Sequence, residues 1–224
     1  MPYRSLNTGD DGEGRDAWVA LGRPLIPSLV LDEQAVPILH ISQVAKLLDL
    51  PGPDTAVNAR LAWDTVTVLT SWMEQFERMS WELLNQPTPS RDRSIRNLTV
   101  NVFHPFELLP EAWSEGRFHW EPDDDHLREA TLASRSQLRD WANGVLVHWQ
   151  GFLLDHQDRL EHEDHEVETP RGAVPYSVVL TSQRYHAAAH HRQLVHFLRS
   201  EGFDMDGVLD VERLPDIDLA PNVF

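Results

Sequence analysis

Residues 58–86 have the sequence NARLAWDTVTVLTSWMEQFERMSWELLNQ, in which large apolar side chains recur every three, four or seven positions. This spacing places them on one face of an α-helix and leaves the polar residues on the other. The apolar face consists of Leu61, Val68, Trp72, Phe76, Met79 and Leu83. The stretch therefore predicts one long amphipathic helix and points to a mainly α-helical fold.

Further helical patterns follow this stretch along the chain. They span about 92–116, 125–160 and 175–200. Pro105 and Pro110 predict a kink or interruption in the first of these helices, and Gly144 and Gly151 weaken the second locally. Gly202 ends the last helix. Four helices of this length predict a four-helix bundle, in which the long connection between the second and third helices can cross over.

Composition divides the chain into four segments. Residues 1–16 are polar and rich in Gly and Asp, so we expect them to be disordered. Residues 17–54 predict a β-hairpin formed by SLVLD and AVPIL with a tight turn at DEQ, and a short helix capped by Ser42. This extension is too small to form a core by itself. The bundle covers residues 55–204, and residues 205–224 form an extended C-terminal tail packed on the surface.

Charge and composition exclude several functions. The formal net charge of −17 repels phosphate backbones, so we expect no nucleic acid partner. We expect acidic runs such as EPDDD to be solvated loops or helix faces. An apolar run of about 18 residues is absent, and the N-terminus lacks the apolar core of a secretory signal, so we expect a cytoplasmic protein without membrane contact. The chain has no cysteine, so any thiol in its chemistry must come from another molecule.

Four histidines occur in the segment YHAAAHHRQLVHF at 185–197. At about 100° per residue, His186 and His190 lie about 40° apart on the apolar side of the last helix. Two imidazoles one turn apart can bind a single metal ion. They can equally be core histidines that form hydrogen bonds with polar neighbours. His191 and His196 fall on opposite flanks, and we expect both at the surface.

His104 is the best candidate for a third metal ligand. It lies in TVNVFHPFELL, among apolar residues predicted to face the core. Pro105 has no N–H and leaves the backbone carbonyl of Asn101 without its helical donor. A buried or capping histidine beside a proline kink is the alternative interpretation. The weaker candidates are His119 and His148, and the acidic-loop histidines His156, His162 and His165, which we expect to titrate at the surface. Arg184 and Arg192 are predicted on outer faces, in salt bridges or solvent.

The pattern H-x₃-H-x₂-QL before LRSEG resembles the DinB-like (DinB/YfiT) superfamily, over about residues 55–204. The resemblance implies a four-helix bundle in which a histidine of the second helix and the histidine pair of the fourth bind a divalent metal ion. Matched position by position, these ligands are His104, His186 and His190. Gln183 and Gln193 are the candidates for a supporting role, in which they orient a ligand or a water molecule.

The same resemblance implies a function. Several DinB-like proteins are metal-dependent transferases or isomerases that use a low-molecular-weight thiol such as mycothiol or bacillithiol. Three imidazole ligands leave a coordination position open, and a metal ion lowers the pKa of a thiol bound there. We expect zinc or nickel as the ion, such a thiol as cofactor and a small-molecule electrophile as substrate. The alternatives are a non-catalytic metal-binding or interaction module, and core histidines that bind no metal.

The N-terminal segment RPLIPSLVLDEQAVPILHISQVAKLLDL, residues 23–50, is similar to the second half of a glutaredoxin. Ile26 and Pro27 match the cis-proline position of that fold. Its first half and its cysteine-containing active site are absent, so redox activity is not implied. In the non-catalytic alternative, this extension and the apolar tail form the interface of a homodimer.

Overall fold

The computed structural model describes residues 4–6, 8, 12–24, 26–38, 41–50, 59–88, 93–217 and 219. The described residues form eight α-helices and four short strands, which confirms the predicted mainly α-helical class with a small β-hairpin. Contacts divide the chain into two units. The first unit comprises Met1–Asp54 and Pro170–Val174, and the second comprises Thr55–Thr169 and Pro175–Phe224.

The first unit contains a β-hairpin and short helices. Its elements are α1 (Glu13–Ala20), β1 (Ser28–Leu31), β2 (Gln34–Pro37) and α2 (Ile41–Leu47). The strands are antiparallel, with Ser28 opposite Pro37 and Leu31 opposite Gln34. Asp32 and Glu33 form the turn at φ 48° and 64°, as a two-residue hairpin turn of the primed type requires. The predicted hairpin and tight turn are therefore confirmed, and the Ile26–Pro27 peptide bond is cis.

The structure differs from the predicted disorder of residues 1–16 at Glu13–Asp16, which form the first turn of α1. Gly12 precedes the helix in an extended conformation, and the two carboxylates of Glu13 and Asp16 lie in that first turn. Acidic side chains at this position interact favourably with the positive end of the helix dipole. The Gly- and Asp-rich composition that indicated disorder therefore also contains a helix start.

The second unit contains the long helices. Its elements are α3 (Ala59–Glu77), α4 (Trp81–Leu84), α5 (Ile95–Glu115), α6 (Pro122–Ala130), α7 (Arg135–His162), β3 (Glu166–Thr169), α8 (Tyr176–Ser200) and a 3-10 turn (Val211–Arg213). The strand β4 (Gly172–Pro175) lies at the boundary of the two units. None of the described helices is long and apolar enough to cross a membrane.

Two of the predicted helices are each divided in two. The stretch 58–86 ends its long helix at Glu77, and α4 begins after Ser80, whose Oγ accepts a hydrogen bond from the Leu83 amide at 3.2 Å. The segment 125–160 divides into α6 and α7 because Ser134 caps a new helix, accepting from the Gln137 amide at 3.2 Å. Serine caps satisfy free amides at helix starts, so these breaks have local causes that apolar periodicity does not reveal.

The core lies between the four longest helices. Both α3 and α5 pack against α7 and α8. Trp72 of α3 and Trp149 of α7 are fully buried, and their indole N–H groups donate to Thr99 and Thr65 at 3.3 Å and 2.7 Å. Phe106 of α5 packs on Trp149 with ring centroids 5.7 Å apart. Direct contacts also place α5 beside α8, and these two helices carry the predicted metal ligands.

Candidate functional site

The structure brings the histidine pair of α8 against α5. His186 and His190 lie with their ring centroids 4.5 Å apart and their ring planes at 89°. Trp120, in the connection between α5 and α6, packs edge-on against His186 at 5.1 Å. The pair therefore lies in a partly enclosed position between two helices, on the side of α8 that the sequence predicted.

His186 forms a hydrogen bond with the main chain of α5. Its Nε2 lies 3.1 Å from the backbone carbonyl oxygen of Asn101. In a regular helix this carbonyl accepts from the amide of residue 105, but Pro105 has no N–H and α5 continues through it without interruption. Since a carbonyl only accepts, Nε2 of His186 carries the proton and Nδ1 keeps its lone pair. Of the predicted kink or interruption at Pro105, the interruption is therefore wrong, whereas the predicted freeing of the Asn101 carbonyl is confirmed.

His104 is held by a buried carboxylate of α6. Its Nδ1 lies 2.9 Å from Oδ1 of Asp125, and both side chains are nearly inaccessible to solvent. Asp125 also accepts from the side-chain amide of Asn101 at 2.7 Å and from the indole of Trp120 at 2.9 Å. Burial raises the pKa of Asp125, but these three donors outweigh it and leave the pKa below its usual value. The ionised carboxylate accepts the hydrogen bond from Nδ1 of His104, so Nε2 is the ring nitrogen that can face a metal ion.

His190 is held by its own helix. Its Nδ1 lies 2.7 Å from Oε1 of Gln193. The guanidinium of Arg93 lies 3.3 Å from the same ring nitrogen and 3.3 Å from the same amide oxygen. The amide oxygen of Gln193 only accepts and the guanidinium of Arg93 only donates, so Nδ1 of His190 can form just one of these two hydrogen bonds. We assign its proton to Nδ1 from the shorter contact with Gln193, which leaves Nε2 as the nitrogen that can face a metal ion. Gln193 therefore contacts a predicted ligand in the supporting position that the sequence suggested.

The environment keeps His186 neutral. Desolvation by the surrounding protein lowers its pKa from 6.5 to about 4, and the positive charge of Arg93 adds to this effect. The Asn101 carbonyl and the Asp125 carboxylate act in the opposite direction but do not compensate. The side chain of His186 is half-buried. The rings of Trp120 and His190 lie against its imidazole and keep water from these sides of the ring. A neutral imidazole at neutral pH is the form that binds metal ions.

Hydrogen bonds join His104 to His186, but the three described histidines do not form a preassembled metal cluster. In the described part of the chain, no group of three or more His, Cys, Asp or Glu side chains is arranged to hold a metal ion. His104 connects through Asp125 to Asn101, whose backbone carbonyl binds His186. The donor set suits zinc or nickel. Binding requires the three rings to turn their remaining nitrogens toward a common point.

Gln183 lies one turn before His186 on α8 without contacting it through a hydrogen bond. The side chain is buried, and its Oε1 has no hydrogen-bond partner among the described residues. A buried amide oxygen without a partner carries a desolvation cost. Gln193 thus forms a hydrogen bond with a predicted ligand, whereas none of the hydrogen bonds among the described residues joins Gln183 to the predicted ligands.

Sequence reasoning missed the residues that connect the site. Asp125 belongs to the run EPDDD, which we predicted to be solvated, yet it is 2% exposed. Glu121 caps α6 in a capping box with Asp124, and Pro122 begins the helix. The acidic residue, proline and second acidic residue at these spacings signal a helix start. That signal could have predicted α6, but not which of its carboxylates faces α5.

Two further predictions on α8 are wrong. His191 is 0% exposed, with its Nε2 3.0 Å from Oγ of Ser71, rather than at the surface. Arg184, predicted on an outer face, is 2% exposed and ion-paired with Oδ2 of Asp64 at 2.7 Å. It also donates to the backbone carbonyl of Pro215 in the C-terminal tail. Both predictions assumed that α8 buries a single apolar face. The helix instead packs against α3, α5 and the C-terminal tail, so more of its faces are buried.

The predictions for the remaining candidate histidines and for Arg192 are confirmed in some cases and wrong in others. His119, His148, His162 and His196 are exposed. Arg192 forms the predicted kind of salt bridge, with Glu212 at 3.0 Å. His156 and His165 are half-buried rather than at the surface, because they pack on Trp113 with ring centroids 6.5 Å and 4.5 Å from it.

Comparisons with known proteins do not assign a family. No family model matches the chain, and searches of curated proteins and of solved structures gave no match. The DinB-like resemblance rests on the sequence pattern of α5 and α8.

Proposed function

We propose that this chain is a DinB-like metal-binding protein whose ion is held by Nε2 of His104, Nδ1 of His186 and Nε2 of His190. One observation carries the proposal. Each of the three imidazoles donates its other ring N–H to an oxygen atom, from Asp125, the Asn101 backbone or Gln193. Metal-binding histidines almost always form such a bond, which orients the ring and selects the nitrogen that binds the ion.

The fold that we propose is a four-helix bundle of the DinB/YfiT type with a crossover connection. The packing of both α3 and α5 against α7 and α8 supports this arrangement. In a bundle with a crossover connection, two long helices that follow one another in the chain need not be neighbours in space. The connection from α5 to α7 contains α6 and is long enough to cross the bundle. It also carries Asp125 and Trp120 to the proposed site.

The reaction that we propose is transfer of a low-molecular-weight thiol to an electrophilic small molecule. A bound ion supplies Lewis acidity, which lowers the pKa of a coordinated thiol. Three protein ligands leave a position open for it, and the chain has no cysteine that could take this role. The protein's own residues hold the three rings, and Arg93 places a positive charge beside His190 that favours an anionic ligand such as a thiolate.

Elemental analysis of untagged protein, purified without chelators and then offered zinc or nickel, tests the site. We expect about one divalent ion per chain, as in other three-histidine sites. His104→Ala and His190→Ala should lose most of it, whereas His196→Ala, which changes an exposed histidine of the same helix, should retain it. Full metal content in both site variants, or none in the unaltered protein, would refute the site.

A non-catalytic metal-binding module that uses the same three histidines is the second candidate. Cobalt-substituted protein distinguishes the two candidates. Addition of 2-mercaptoethanol or mercaptoacetate should change the cobalt absorption spectrum if a coordination position is open to thiols. A spectrum unchanged by both thiols, in protein that does bind cobalt, assigns the chain to the non-catalytic class.

A further inference from the structure

The proposed three-histidine site has a negative charge on one side and a positive charge on the other. The ionised carboxylate of Asp125 lies against His104. The guanidinium of Arg93 lies at the other side, with its Nη2 atom 3.3 Å from Nδ1 of His190. Burial has the largest effect on the pKa of His186, but both charges also act on it, since that of Asp125 raises this pKa and that of Arg93 lowers it. A ligand bound at the site therefore meets a positive and a negative end.

The backbone that carries Arg93 is held on both sides of the residue. The Arg93 carbonyl oxygen accepts a hydrogen bond from the Thr88 amide at 2.8 Å, and the next residue, Ser94, caps the start of α5. Arg93 is half-buried, as are His190 and Gln193. The arginine is therefore positioned beside the site before any ligand binds, and it remains partly accessible to solvent. Positioning of this kind reduces the entropy that a ligand loses on binding.

The guanidinium of Arg93 forms long contacts with two amide oxygens and a ring nitrogen. Its Nη2 lies 3.3 Å from Nδ1 of His190 and 3.3 Å from Oε1 of Gln193, and its Nη1 lies 3.5 Å from Oδ1 of Asn101. Hydrogen bonds from a guanidinium to a carboxylate are shorter, at about 2.7–2.9 Å, and about twice as strong as those between neutral groups. Because a guanidinium has several N–H donors in a planar fork, Arg93 can bind a carboxylate in addition to these acceptors or in place of one.

We propose, on the basis of the proposed function, that the thiol used at this site carries a carboxylate, which Arg93 binds while the sulfur binds the ion. Arg93 lies at one nitrogen of the His190 ring, and the nitrogen that would face the ion is the other one. A thiol with a short carbon chain between its sulfur and its carboxylate therefore has the length to reach both. The carboxylate of Asp125, on the other side of the site, repels the carboxylate of the ligand and so favours a single orientation.

The hydrogen bonds of His190 couple the carboxylate to the ion. Nδ1 of this ring can bond with either Gln193 or Arg93, and only the bond with Gln193 leaves Nε2 able to face an ion. A carboxylate that draws the guanidinium away from the ring leaves Gln193 as the partner of Nδ1. Binding of the carboxylate thus favours the form of His190 that binds the ion, and by linkage the bound ion favours a carboxylate at Arg93.

Titration of the cobalt-loaded full chain with thiols of different charge, followed through the cobalt absorption spectrum, tests the role of Arg93. Mercaptoacetate is negative, 2-mercaptoethanol is neutral and cysteamine is positive, and the three are similar in size. Arg93→Gln should weaken the binding of mercaptoacetate by about tenfold or more, as expected for loss of a hydrogen bond to a charged group. It should weaken that of 2-mercaptoethanol by about threefold or less and should not weaken that of cysteamine. Comparing each thiol between the two proteins removes the differences in thiol acidity.

Two further variants show whether the position and shape of the arginine matter. Arg192→Gln is the matched control, because it removes an arginine of α8 that pairs with Glu212 in the C-terminal tail, and it should leave all three affinities unchanged. Arg93→Lys keeps the charge but not the planar fork. It should lose less affinity for mercaptoacetate than Arg93→Gln does, but more than it loses for 2-mercaptoethanol, and this second comparison decides the matter if Arg93→Gln does not fold.

The outcomes separate the role of Arg93 from the proposed function. Cobalt-loaded Arg93 variants that bind all three thiols with unchanged or equally weakened affinity would overturn the role of Arg93 alone. A loss selective for mercaptoacetate in Arg192→Gln would do the same, because the effect would then not depend on position. Unaltered protein that binds no cobalt, or whose cobalt spectrum no thiol changes, would refute the proposed function and the carboxylate-bearing thiol with it.

Discussion

The Nε2 atom of His186 donates a hydrogen bond to the backbone carbonyl of Asn101 at 3.1 Å, at the point where Pro105 removes the helical donor from α5. The proline thus creates an acceptor inside the protein, and a histidine of another helix uses it. An unpaired buried carbonyl is costly in free energy. The bond from His186 removes this cost and thereby stabilises the position of α8 beside the proline-containing part of α5. It also fixes which nitrogen of His186 can act as a ligand.

The tautomers of the three histidines form the first prediction. In metal-free protein near neutral pH, His186 should carry its proton on Nε2, whereas His104 and His190 should carry theirs on Nδ1, because each donates to an oxygen from that nitrogen. Long-range proton–nitrogen correlation spectra of ring-labelled protein distinguish these forms. Assignment uses single His→Gln variants. A proton on Nε2 of His104 or His190 would contradict the hydrogen-bond network.

Asp125→Asn should weaken metal binding. The amide keeps the size of the carboxylate but removes the charge that holds His104 through Nδ1. Loss of such a partner typically costs about 10–100-fold in metal affinity. Competition with a chromophoric zinc chelator measures the affinity. Asp123→Asn changes an exposed carboxylate of the same helix and should bind as the unaltered protein does. Equal affinities for the Asp125 and Asp123 variants would show that the carboxylate does not orient a ligand.

The buried Arg184–Asp64 ion pair predicts a large effect on stability. Asp64→Asn leaves the guanidinium, whose side chain is 2% exposed, without its counter-charge. Breaking a buried pair at one partner costs about 3 kcal/mol or more in free energy of unfolding, whereas an exposed pair contributes about 0–1 kcal/mol. Glu77→Gln tests the second case, because Glu77 pairs with Arg135 with half of its own side chain exposed. Urea unfolding should show a clearly larger loss of free energy of unfolding for Asp64→Asn than for Glu77→Gln. Equal losses would show that Arg184 does not depend on Asp64 as its buried counter-charge.

Stability should fall in acid because of His191. Burial lowers its pKa from 6.5 to about 4, so between these values the unfolded chain binds a proton that the folded chain refuses. The free energy of unfolding therefore decreases as pH falls from about 6.5 to about 4, by ~3 kcal/mol from this residue. His191→Gln removes this contribution, so its stability deficit relative to the unaltered protein should shrink as pH falls through that window. Urea titrations at several pH values measure this difference in free energy of unfolding. A difference that does not change with pH would contradict a neutral buried His191.

Much of the architecture was accessible from periodicity. Spacings of three and four predicted the apolar faces of α3 and α8, because a helix packed on one side repeats its buried residues every 3.6 positions. The same reasoning failed for His191 and Arg184, since α8 packs against α3 as well as α5 and the tail reaches Arg184. A helical wheel shows which residues share a face, but it does not show how many neighbours the helix has.

The candidate site was accessible in part. His186 and His190 were predicted from their four-residue spacing, and the carbonyl of Asn101 from the position of Pro105. Asp125 and Trp120 were not predicted, because their contacts with His104 and His186 depend on how the connection between α5 and α7 folds back onto α5. Long-range contacts of this kind leave no periodic signal in the sequence.

Titration of ring-labelled protein with zinc, followed through the nitrogen resonances of the histidines, tests whether the three imidazoles bind one ion. We expect Nε2 of His104, Nδ1 of His186 and Nε2 of His190 to shift together and saturate at about one zinc per chain, as for a single three-histidine site. Their protonated partners should keep their protons, and the exposed His196 should not respond. Zinc that leaves these three nitrogens unchanged, or that binds at exposed histidines instead, would contradict the proposed three-histidine site.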